Sequence, residues 1–588
     1  MIKVEIEMKV DVEDFDIIEE KNNVKTVKLP ELTTVEREII DPIVAPTSGL
    51  RIQLLSDVSN NSDKYFLPKR KLFLFLRVFK AISLVFKALK NNKNQNVLIV
   101  TDDRPSKDLL LKYCSQIFAY DSYRIYYQKD EPSLSRTSSP YAAASVALYE
   151  EIKLVIMLTA SHNDLSWNGV KFYIDYPIPL SGEIFKKISK KALEIEEIKL
   201  RTDVKSVIID AEQKNNEYIL RLLSKVIEIK SIKGKNIVIW PYLGRAREVV
   251  VLFKKLGAKV TLIEEDINPP NPEIIVKTEK LQKVMSQADA SIALLLDADR
   301  DRIALYVKQN GEYFLYNPNE IYSALHNILA NEYKKKIINV RTIPSDLRGD
   351  DTSFLNILTG VGYKHLGVLL YFLYGIEVDQ SKIDTAILYF EDDYKKLVKF
   401  NNPLPVKNRI LEIMKKQQLV EETFLLVMWE ESGGHTLNIL NLKRKNDKTL
   451  FEPDPNLPII ADKYPVPALV LITELICRGH IVSESVDWSI KGINRTIHAT
   501  DQEKIKIMEN FKKNDNKVVK IGKKEYNIRA LSDNINFIDI FQLKSNDSTL
   551  YFRPSGTGPD IRFYIFGKRE TYLEEINEVM DYVNKNYK

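Results

Sequence analysis

The stretch LVIMLTASHNDLSWNGVK, residues 154–171, decides the fold class of this chain. Its first six residues form an apolar run of the length of one buried strand, and a small polar turn follows. The same arrangement recurs at residues 291–302, where SIALLL leads into DADRDR. Because ligands of α/β sheets bind beyond the carboxyl ends of the strands, we expect the chemistry at these two polar turns.

Apolar runs alternate with helical patterns on both sides of these two stretches. We predict further strands at residues 97–101, 236–240, 259–263, 336–340 and 385–389. This alternation predicts α/β units with mixed, mostly parallel sheets. It recurs roughly every hundred residues, which predicts three related α/β domains. The last part of the chain has a few strands and a closing helix, so we expect a C-terminal α+β domain there.

A length of 588 residues suggests about four domains at roughly 150 residues each. Three segments are candidate boundaries because they are charged, polar or rich in proline, namely 196–203, 309–319 and 452–467. The predicted domains are 1–203, 204–314, 315–455 and 466–588.

The composition is that of a globular protein with nearly balanced charge. The net charge is +5, from 86 basic and 81 acidic residues, so we expect neither a nucleic-acid nor a membrane partner. Only two cysteines, Cys114 and Cys477, and an N-terminus without an apolar segment predict a reduced, cytoplasmic protein. Basic residues interrupt the apolar stretch Leu72–Leu89, which predicts an amphipathic core helix rather than a membrane span.

The turn after residue 159 offers a nucleophile. A serine hydroxyl such as that of Ser161 attacks well only when neighbouring groups position and deprotonate it. His162 and Lys171 are candidates for that help. The alternative is an ordinary turn in which serine or asparagine caps the next element.

The turn DADRDR offers a cation site. Carboxylates at alternate positions, Asp297, Asp299 and Asp301, can converge on one hard cation such as Mg²⁺, and Mn²⁺ would suit the same oxygens. A calcium loop of the EF-hand type is excluded, because Arg302 and Lys308 stand where glycine and glutamate are required. The alternative is a solvated, charge-balanced loop.

Three further motifs have polar groups suited to phosphate or sugar. RPSGTGPDIR at 553–562 can offer a guanidinium, hydroxyls and backbone N–H groups to a phosphate. EESGGH at 430–435 can bind sugar hydroxyls, and TSGLR at 47–51 places an arginine after a glycine turn. Each of the three, taken alone, also fits a plain turn or cap.

The order of the motifs resembles the α-D-phosphohexomutase superfamily, which includes phosphoglucomutases and phosphomannomutases. The sequence runs TSGLR, DDR (102–104), TASHN…NGVK, DADRDR, TGVGYKH (359–365), EESGGH and RPSGTGPDIRFY. This resemblance extends from about residue 45 to about residue 566. It implies three α/β domains and a smaller C-terminal domain around a central cleft.

The resemblance also implies roles for matching residues. Ser161 matches the serine that is phosphorylated in the resting enzyme, and with Asp297, Asp299 and Asp301 it would complete the Mg²⁺ site. The other matching catalytic residues are Lys171, Arg51 and His162. The matching substrate-binding residues are Arg302, Gly362, Tyr363, Lys364, Glu430, Ser432, Arg553, Ser555, Gly556 and Thr557.

The implied activity interconverts the 1-phospho and 6-phospho forms of glucose or mannose. It would proceed through phosphoserine and a bisphosphorylated sugar, with one Mg²⁺ per chain, a sugar bisphosphate as activator and a small sugar phosphate as partner. A pentose or amino-sugar phosphate substrate stays open, as do a non-catalytic sugar-phosphate-binding relative and the oligomeric state.

The chain departs from the superfamily pattern at several positions. Asp164 stands in place of a proline, which would add negative charge near the phosphoserine. Ala298 and Arg300 stand in place of metal-loop glycines, and EESGGH has a second glycine before its histidine. Gly558 and Asp560 replace acidic and basic residues of the phosphate loop, and the lost cation should weaken the binding of phosphate.

Overall fold

A computed structural model describes residues 9–41, 50–57, 64–89, 95–130, 134–180, 182–273, 275, 277–350, 353–379, 381–382, 386–391, 397–445, 448–531, 540–555 and 560–588. The chain divides into two compact units. Unit 1 comprises Met1–Leu315 with Asp379–Asp384 and Tyr464–Val466. Unit 2 comprises Tyr316–Val378, Thr385–Lys463 and Pro467–Lys588.

Unit 1 alternates strands and helices. Its strands are β1 (Lys9–Val12), β2 (Glu19–Lys21), β3 (Val24–Lys28), β4 (Leu50–Gln53), β5 (Ser56–Asp57), β6 (Lys64–Leu67), β7 (Asn96–Thr101), β8 (Arg124–Gln128), β9 (Leu154–Leu158), β10 (Trp167–Ile174), β11 (Glu197–Arg201), β12 (Ser206–Ile209), β13 (Asn236–Trp240), β14 (Lys259–Leu262), β15 (Ile292–Leu296), β16 (Ile303–Gln309) and β17 (Glu312–Tyr316). Its helices are α1 (Thr34–Ile40), α2 (Lys69–Lys87), α3 (Lys107–Tyr120), α4 (Ser139–Leu148), α5 (Glu183–Glu194), α6 (Ala211–Val226), α7 (Arg247–Lys255) and α8 (Thr278–Gln287).

Two larger sheets organise unit 1. One has the order β12-β8-β7-β9-β10-β4, in which β12, β8, β7 and β9 are parallel and β10 and β4 are antiparallel. The other has the order β14-β13-β15-β16-β17, with β14, β13 and β15 parallel. Strands β9 and β15 are buried along their whole length, as their unbroken apolar runs predict. The N-terminal strands β2 and β3 form a small sheet with β11.

Unit 2 contains one mixed sheet and one antiparallel sheet. Its strands are β18 (Lys336–Thr342), β19 (Leu355–Thr359), β20 (Leu388–Glu391), β21 (Leu397–Phe400), β22 (Glu422–Trp429), β23 (His435–Lys445), β24 (Lys448–Glu452), β25 (Ile490–His498), β26 (Val518–Ile521), β27 (Lys524–Leu531), β28 (Ile540–Lys544), β29 (Thr549–Pro554) and β30 (Asp560–Lys568). Its helices are α9 (Pro318–Asn331), α10 (Tyr363–Leu373), α11 (Pro403–Lys416), α12 (Val466–Cys477), α13 (Asp501–Phe511) and α14 (Tyr572–Tyr587). Short 3-10 helices lie at Leu347–Gly349, Val482–Glu484 and Lys512–Asn514.

The mixed sheet of unit 2 has the order β21-β20-β19-β18-β22-β23-β24, with β19, β18 and β22 parallel. The C-terminal sheet has the order β25-β30-β29-β28-β27-β26 and is antiparallel at each strand pair. Helices α13 and α14 bury apolar residues against this second sheet. The predicted α+β character of the last domain is therefore confirmed.

The three larger mixed sheets share one local topology. In each, a central strand has a parallel neighbour on both sides, and one of these neighbours turns back into an antiparallel strand. The returning pairs are β9–β10, β15–β16 and β22–β23. This shared pattern confirms three related α/β domains, and it puts the serine, metal and EESGGH turns at equivalent places. The predicted domain borders stay predictions.

The predicted strands and the predicted amphipathic helix are present. Helix α2 covers most of the apolar stretch 72–89, and the run at 385–389 overlaps β20. Within the described ranges, no helix has the length and apolar character needed to cross a membrane.

Candidate active site

Ser161 and the three aspartates meet within unit 1. Ser161 lies in the turn between β9 and β10, and Asp297, Asp299 and Asp301 lie in the equivalent turn between β15 and β16. The Ser161 hydroxyl donates a hydrogen bond to Asp297 Oδ2 at 3.2 Å. All four side chains are buried. The two turns that the sequence singled out therefore form one site.

The aspartate triad has the geometry of a cation site. One carboxylate oxygen from each of the three residues lies within 4.8 Å of the others. Asp299 Oδ1 is buried and accepts no hydrogen bond from the part of the chain that the structure describes. Burial, together with the neighbouring Asp299 and Asp301, raises the pKa of Asp297. Three carboxylates that repel each other out of water fit a hard divalent cation such as Mg²⁺.

Lys171 supplies positive charge to the same carboxylates. It lies on β10, and its Nζ donates to Asp299 Oδ2 at 2.7 Å and to Asp301 Oδ2 at 3.0 Å. Burial would lower the pKa of Lys171, but the two aspartates outweigh it and raise the pKa above the ordinary lysine value. Ser139 also donates to Asp299 Oδ2, at 2.6 Å. Lys171 is thus a buried cation beside the site.

Arg51 reaches the site from the neighbouring strand. It lies on β4, opposite Gly169 of β10. A Cβ on Gly169 would stand 2.3 Å from the Leu50 carbonyl and 2.9 Å from Arg51 Cγ. The glycine of NGVK is therefore required for the close approach of β4. Burial lowers the pKa of Arg51, and the charges of Asp299 and Asp301 oppose that shift.

Two more predicted residues lie beside these groups. Arg302 Nε is 3.9 Å from Asp297 Oδ2 and 3.7 Å from Asp301 Oδ1. His162 follows Ser161 in the same turn and is partly buried. The structure therefore brings together every predicted catalytic and metal residue of unit 1.

A buried arginine of the DDR motif holds the serine turn. Arg104 is fully buried, and its guanidinium donates to four backbone carbonyls of that turn. The accepting carbonyls belong to Ser161, Asn163 at 2.8 Å, Asp164 at 2.7 Å and Trp167 at 3.1 Å. We call this arrangement the serine clamp.

Asp102 and Thr159 complete the serine clamp. Asp102 Oδ2 accepts from Arg104 Nε at 3.1 Å and from the Thr159 hydroxyl at 2.6 Å. Thr159 Oγ1 in turn accepts from the backbone N–H of Ser161 at 2.9 Å. Ser161 adopts a left-handed backbone with a φ of 55°. Such a conformation is uncommon outside glycine, so the surrounding hydrogen bonds hold it in place.

Asp164 makes hydrogen bonds that the sequence did not predict. Its Oδ1 accepts from the Ser166 N–H at 2.8 Å, and its Oδ2 accepts from Asn268 Nδ2 at 2.8 Å. Asn268 Oδ1 accepts from the Leu165 N–H at 3.0 Å. The carboxylate thus caps the serine turn and fastens it to the loop after β14.

Arg300 replaces a glycine and keeps the left-handed backbone, with a φ of 56°. Its guanidinium donates to Glu248 at 2.9 Å, to Asp103 at 3.2 Å and to the Ala298 carbonyl at 2.8 Å. These acids raise the pKa of Arg300 despite its burial. Arg300 therefore has a backbone conformation that glycine adopts freely, and its side chain makes buried ion pairs in this conformation.

The predicted sugar-binding residues lie in unit 2. Gly362, with a φ of 120°, precedes α10, and Lys364 lies in its first turn. The Tyr363 side chain is buried, and its hydroxyl donates to the Met428 carbonyl at 2.7 Å. Its phenol ring belongs to the core of this unit, whereas Lys364 is partly exposed.

Glu430 and Ser432 occupy the turn between β22 and β23. The Ser432 hydroxyl donates to Glu430 Oε1 at 2.5 Å. The adjacent Glu431 accepts from the Thr342 hydroxyl at 3.1 Å. Burial, with the neighbouring Glu430, raises the pKa of Glu431, while Arg553 opposes that shift.

The phosphate motif is described only in part. Arg553 lies at the end of β29, and the Ser555 N–H donates to the Asp560 carbonyl at 2.8 Å. Gly556, Thr557 and Gly558 lie outside the described residues, as do the first three residues of TSGLR.

Comparisons with known proteins show which protein families this chain resembles. Residues 71–199 match the family described as phosphoglucomutase/phosphomannomutase, alpha/beta/alpha domain I. A phosphoglucosamine mutase of Alkaliphilus oremlandii is 28% identical over 233 residues, which are 38% of this chain and 49% of that protein. A phosphoglucosamine mutase of Nautilia profundicola is 31% identical over 31% of this chain and 41% of its own length. The chain thus spans about half or less of these curated relatives.

Solved structures show the same fold over nearly the whole chain. The phosphoglucomutase pp63/parafusin of Paramecium has a TM-score of 0.59 at 12% identity and covers 96% of both chains. A phosphoglucomutase/phosphomannomutase family protein of Burkholderia thailandensis has a TM-score of 0.57 at 13% identity and covers 93% of this chain and 97% of its own. With the match of residues 71–199, the predicted resemblance to the α-D-phosphohexomutase superfamily is confirmed.

Proposed function

We propose that this protein is a phosphosugar mutase that transfers a phosphoryl group between two positions of a hexose phosphate through phospho-Ser161. The main support is the contact of the Ser161 hydroxyl with Asp297 in a buried cluster of three aspartates and Lys171. Phosphoryl transfer depends on alignment and on neutralised charge more than on covalent work by the protein. This cluster provides both the alignment and the neutralising charge.

Each residue of the cluster has a role in the proposal. Asp297, Asp299 and Asp301, with Ser161, would hold one Mg²⁺, which would neutralise phosphoryl charge and make the serine a better leaving group. Lys171 and Arg51 are the proposed acid–base residues for the sugar hydroxyl. The serine clamp keeps the Ser161 hydroxyl in one position. A sugar bisphosphate would load the serine.

Unit 2 supplies the proposed sugar and phosphate contacts. Glu430 and Ser432 offer a carboxylate and a hydroxyl to sugar hydroxyls, and Lys364 offers an ammonium. Arg553 and Ser555, with Gly556 and Thr557, are the proposed ligands of the phosphate that is not being transferred. The proposed substrates are the 1-phospho and 6-phospho forms of glucose or mannose.

An amino-sugar phosphate is the second candidate substrate. The observation that favours it is the name of the curated relatives, which are phosphoglucosamine mutases. The buried, complete aspartate triad argues against a merely sugar-phosphate-binding relative, because three carboxylates that Lys171 only partly neutralises are costly to bury without a bound cation.

Intact-mass measurement and turnover test the proposal. Wild type should carry a phosphate-sized mass increment and should convert glucose 1-phosphate or mannose 1-phosphate with Mg²⁺ and a trace of the bisphosphate. Ser161→Ala should lose both the increment and the turnover. Ser166→Ala, in the same turn, should keep both. An increment that persists in Ser161→Ala would refute the assignment of the nucleophile.

A further inference from the structure

The turn between β22 and β23 contains an ion pair that the sequence motifs do not include. Lys463 Nζ lies 2.5 Å from Glu430 Oε1. The side chains are 19% and 8% exposed, respectively, so most of this pair is removed from water. Lys463 comes from the Pro-rich segment 452–467 that follows the mixed sheet.

The second glycine of EESGGH makes room for this lysine. A Cβ on Gly434 would stand 2.8 Å from Lys463 Cγ, 2.9 Å from its Cδ and 3.0 Å from its Cε. Real Cβ atoms essentially never come so close to carbon, so the lysine stem lies across the glycine backbone. The extra glycine and Lys463 therefore form one structural feature.

Two hydrogen bonds within the EESGGH turn also hold Glu430 in place. Its oxygen accepts from the Ser432 hydroxyl, and the Glu430 N–H donates to the Gly434 carbonyl at 3.0 Å. A pair that is already ordered loses little further side-chain freedom when a ligand binds. The position of its charges is set before the sugar arrives.

The local balance of charge depends on the lysine. Glu430 and Glu431 provide two carboxyl groups, and Lys463 and Arg553 are the cations that act on them. With Lys463 present, the charges can compensate each other. Without it, Glu430 loses the cation of its ion pair at the turn proposed to bind sugar hydroxyls.

We propose that Lys463 is a specificity-determining residue. It makes this turn select a hexose phosphate whose sugar ring is uncharged over an amino-hexose phosphate whose amino group is protonated. The proposal rests on the function proposed above. A sugar hydroxyl can accept from the lysine ammonium and donate to the carboxylate, whereas a sugar ammonium can only donate. It would also meet the like charge of Lys463, and such repulsion is a common source of specificity.

The test compares glucose 1-phosphate with glucosamine 1-phosphate in wild type and Lys463→Met. Methionine has a similar length without the charge. We expect wild type to prefer the glucose compound, and we expect the ratio of the two kcat/KM values to shift toward the glucosamine compound by about tenfold in the variant, as the loss of one nearby charge predicts. The shift should shrink at a pH at which the sugar amine is neutral.

Two further variants and one control test whether the charge and position of Lys463 cause the shift. Gly434→Ala should displace the lysine stem and shift the ratio in the same direction, and Lys463→Arg should retain the wild-type preference. Lys491→Met removes another lysine of unit 2 with a similar ion pair, Nζ to Glu320 Oε1 at 2.7 Å, and should not change the ratio. A ratio that stays within twofold of wild type in both Lys463→Met and Gly434→Ala would overturn the proposal.

The proposed function and this inference can fail separately. Absence of wild-type turnover on glucose 1-phosphate, mannose 1-phosphate and glucosamine 1-phosphate would refute the function. The role of Lys463 can then be tested by calorimetry, which measures the affinities of wild type and Lys463→Met for glucose 6-phosphate and glucosamine 6-phosphate. Tighter binding of the amino sugar by the variant supports it, and equal changes for both sugars overturn it.

Discussion

Two arginines follow central strands of mixed sheets in the same local pattern, Arg104 after β7 in unit 1 and Arg348 after β18 in unit 2. Each lies two residues after an aspartate. The backbone N–H of Arg104 donates to Asp102 at 3.1 Å, and that of Arg348 donates to Asp346 at 3.0 Å. All four side chains are buried.

The two arginines differ in what they hold. Arg104 uses one N–H for its aspartate and the others for carbonyls of the serine turn. Arg348 pairs with its aspartate through both Nε and Nη2, and its Nη1 donates to the carbonyls of Asp487 and Ile490 at 3.1 and 3.0 Å. Those carbonyls lie at the start of β25. The same local arrangement of aspartate and arginine therefore holds the serine turn in unit 1 and attaches the C-terminal sheet in unit 2.

Arg104→Ala should give the largest effect. It removes every hydrogen bond that the guanidinium donates to the serine turn and leaves Asp102 buried without its cation. Loss of a buried partner costs about 3–5 kcal/mol, and misplacement of a reacting group by 1 Å costs about 100-fold. We expect kcat/KM to fall at least about 100-fold and Ser161 to lose most of its phosphate, as read by enzyme assay and intact mass.

Arg348→Ala is the matched variant and should separate stability from chemistry. It should lower the free energy of unfolding by about 3–5 kcal/mol, because Asp346 loses its buried partner. The phosphate on Ser161 should remain. Urea denaturation and intact mass measure the two quantities. If Arg348→Ala removed the phosphate as completely as Arg104→Ala, the distinction between the two arginines would be wrong.

Acid should produce a smaller effect for each pH unit, and we expect this effect to originate in unit 2. His326 Nε2 lies 3.0 Å from Nε2 of His435, the last residue of EESGGH, and burial lowers the pKa of His326 to about 3. Because the folded pKa lies below the unfolded one, the histidine stabilises the fold above about pH 6.5 and loses this contribution as the pH falls toward 3. The loss is at most ~1.4 kcal/mol per pH unit.

His326→Phe tests this origin. The variant should show a shallower fall of the unfolding free energy between pH 6.5 and 4 than wild type. The exposed His498 serves as control, because His498→Gln should keep the wild-type slope. An unchanged slope in His326→Phe would mean that other groups cause the acid sensitivity.

The strands and the serine and metal turns could be predicted from the sequence because their signals are local. LVIMLT and SIALLL are unbroken apolar runs, and each ends in residues whose chemistry is evident without a partner. The aspartate spacing in DADRDR indicated a cation site by itself. The three-domain repeat likewise follows from the recurrence of strand and helix patterns.

The remaining features depend on contacts that are distant in sequence. Arg104 reaches a turn about 60 residues away, and only the repeated Asp-x-Arg at 102–104 and 346–348 could have drawn attention to it. Lys463 in a Pro-rich segment gives no sign that it pairs with Glu430. Tyr363 fits a sugar-binding motif, yet its hydroxyl bonds within the core, and a motif cannot distinguish these uses of one side chain.

The left-handed backbone at Ser161 limits which amino acid can serve as the nucleophile. Threonine offers the same hydroxyl, but its branched Cβ makes a positive φ strongly unfavourable. Cysteine would fit the backbone but would form a different phosphoryl bond. The backbone geometry of the turn therefore restricts which amino acid can be the proposed phosphate carrier, before any contact with the sugar is made.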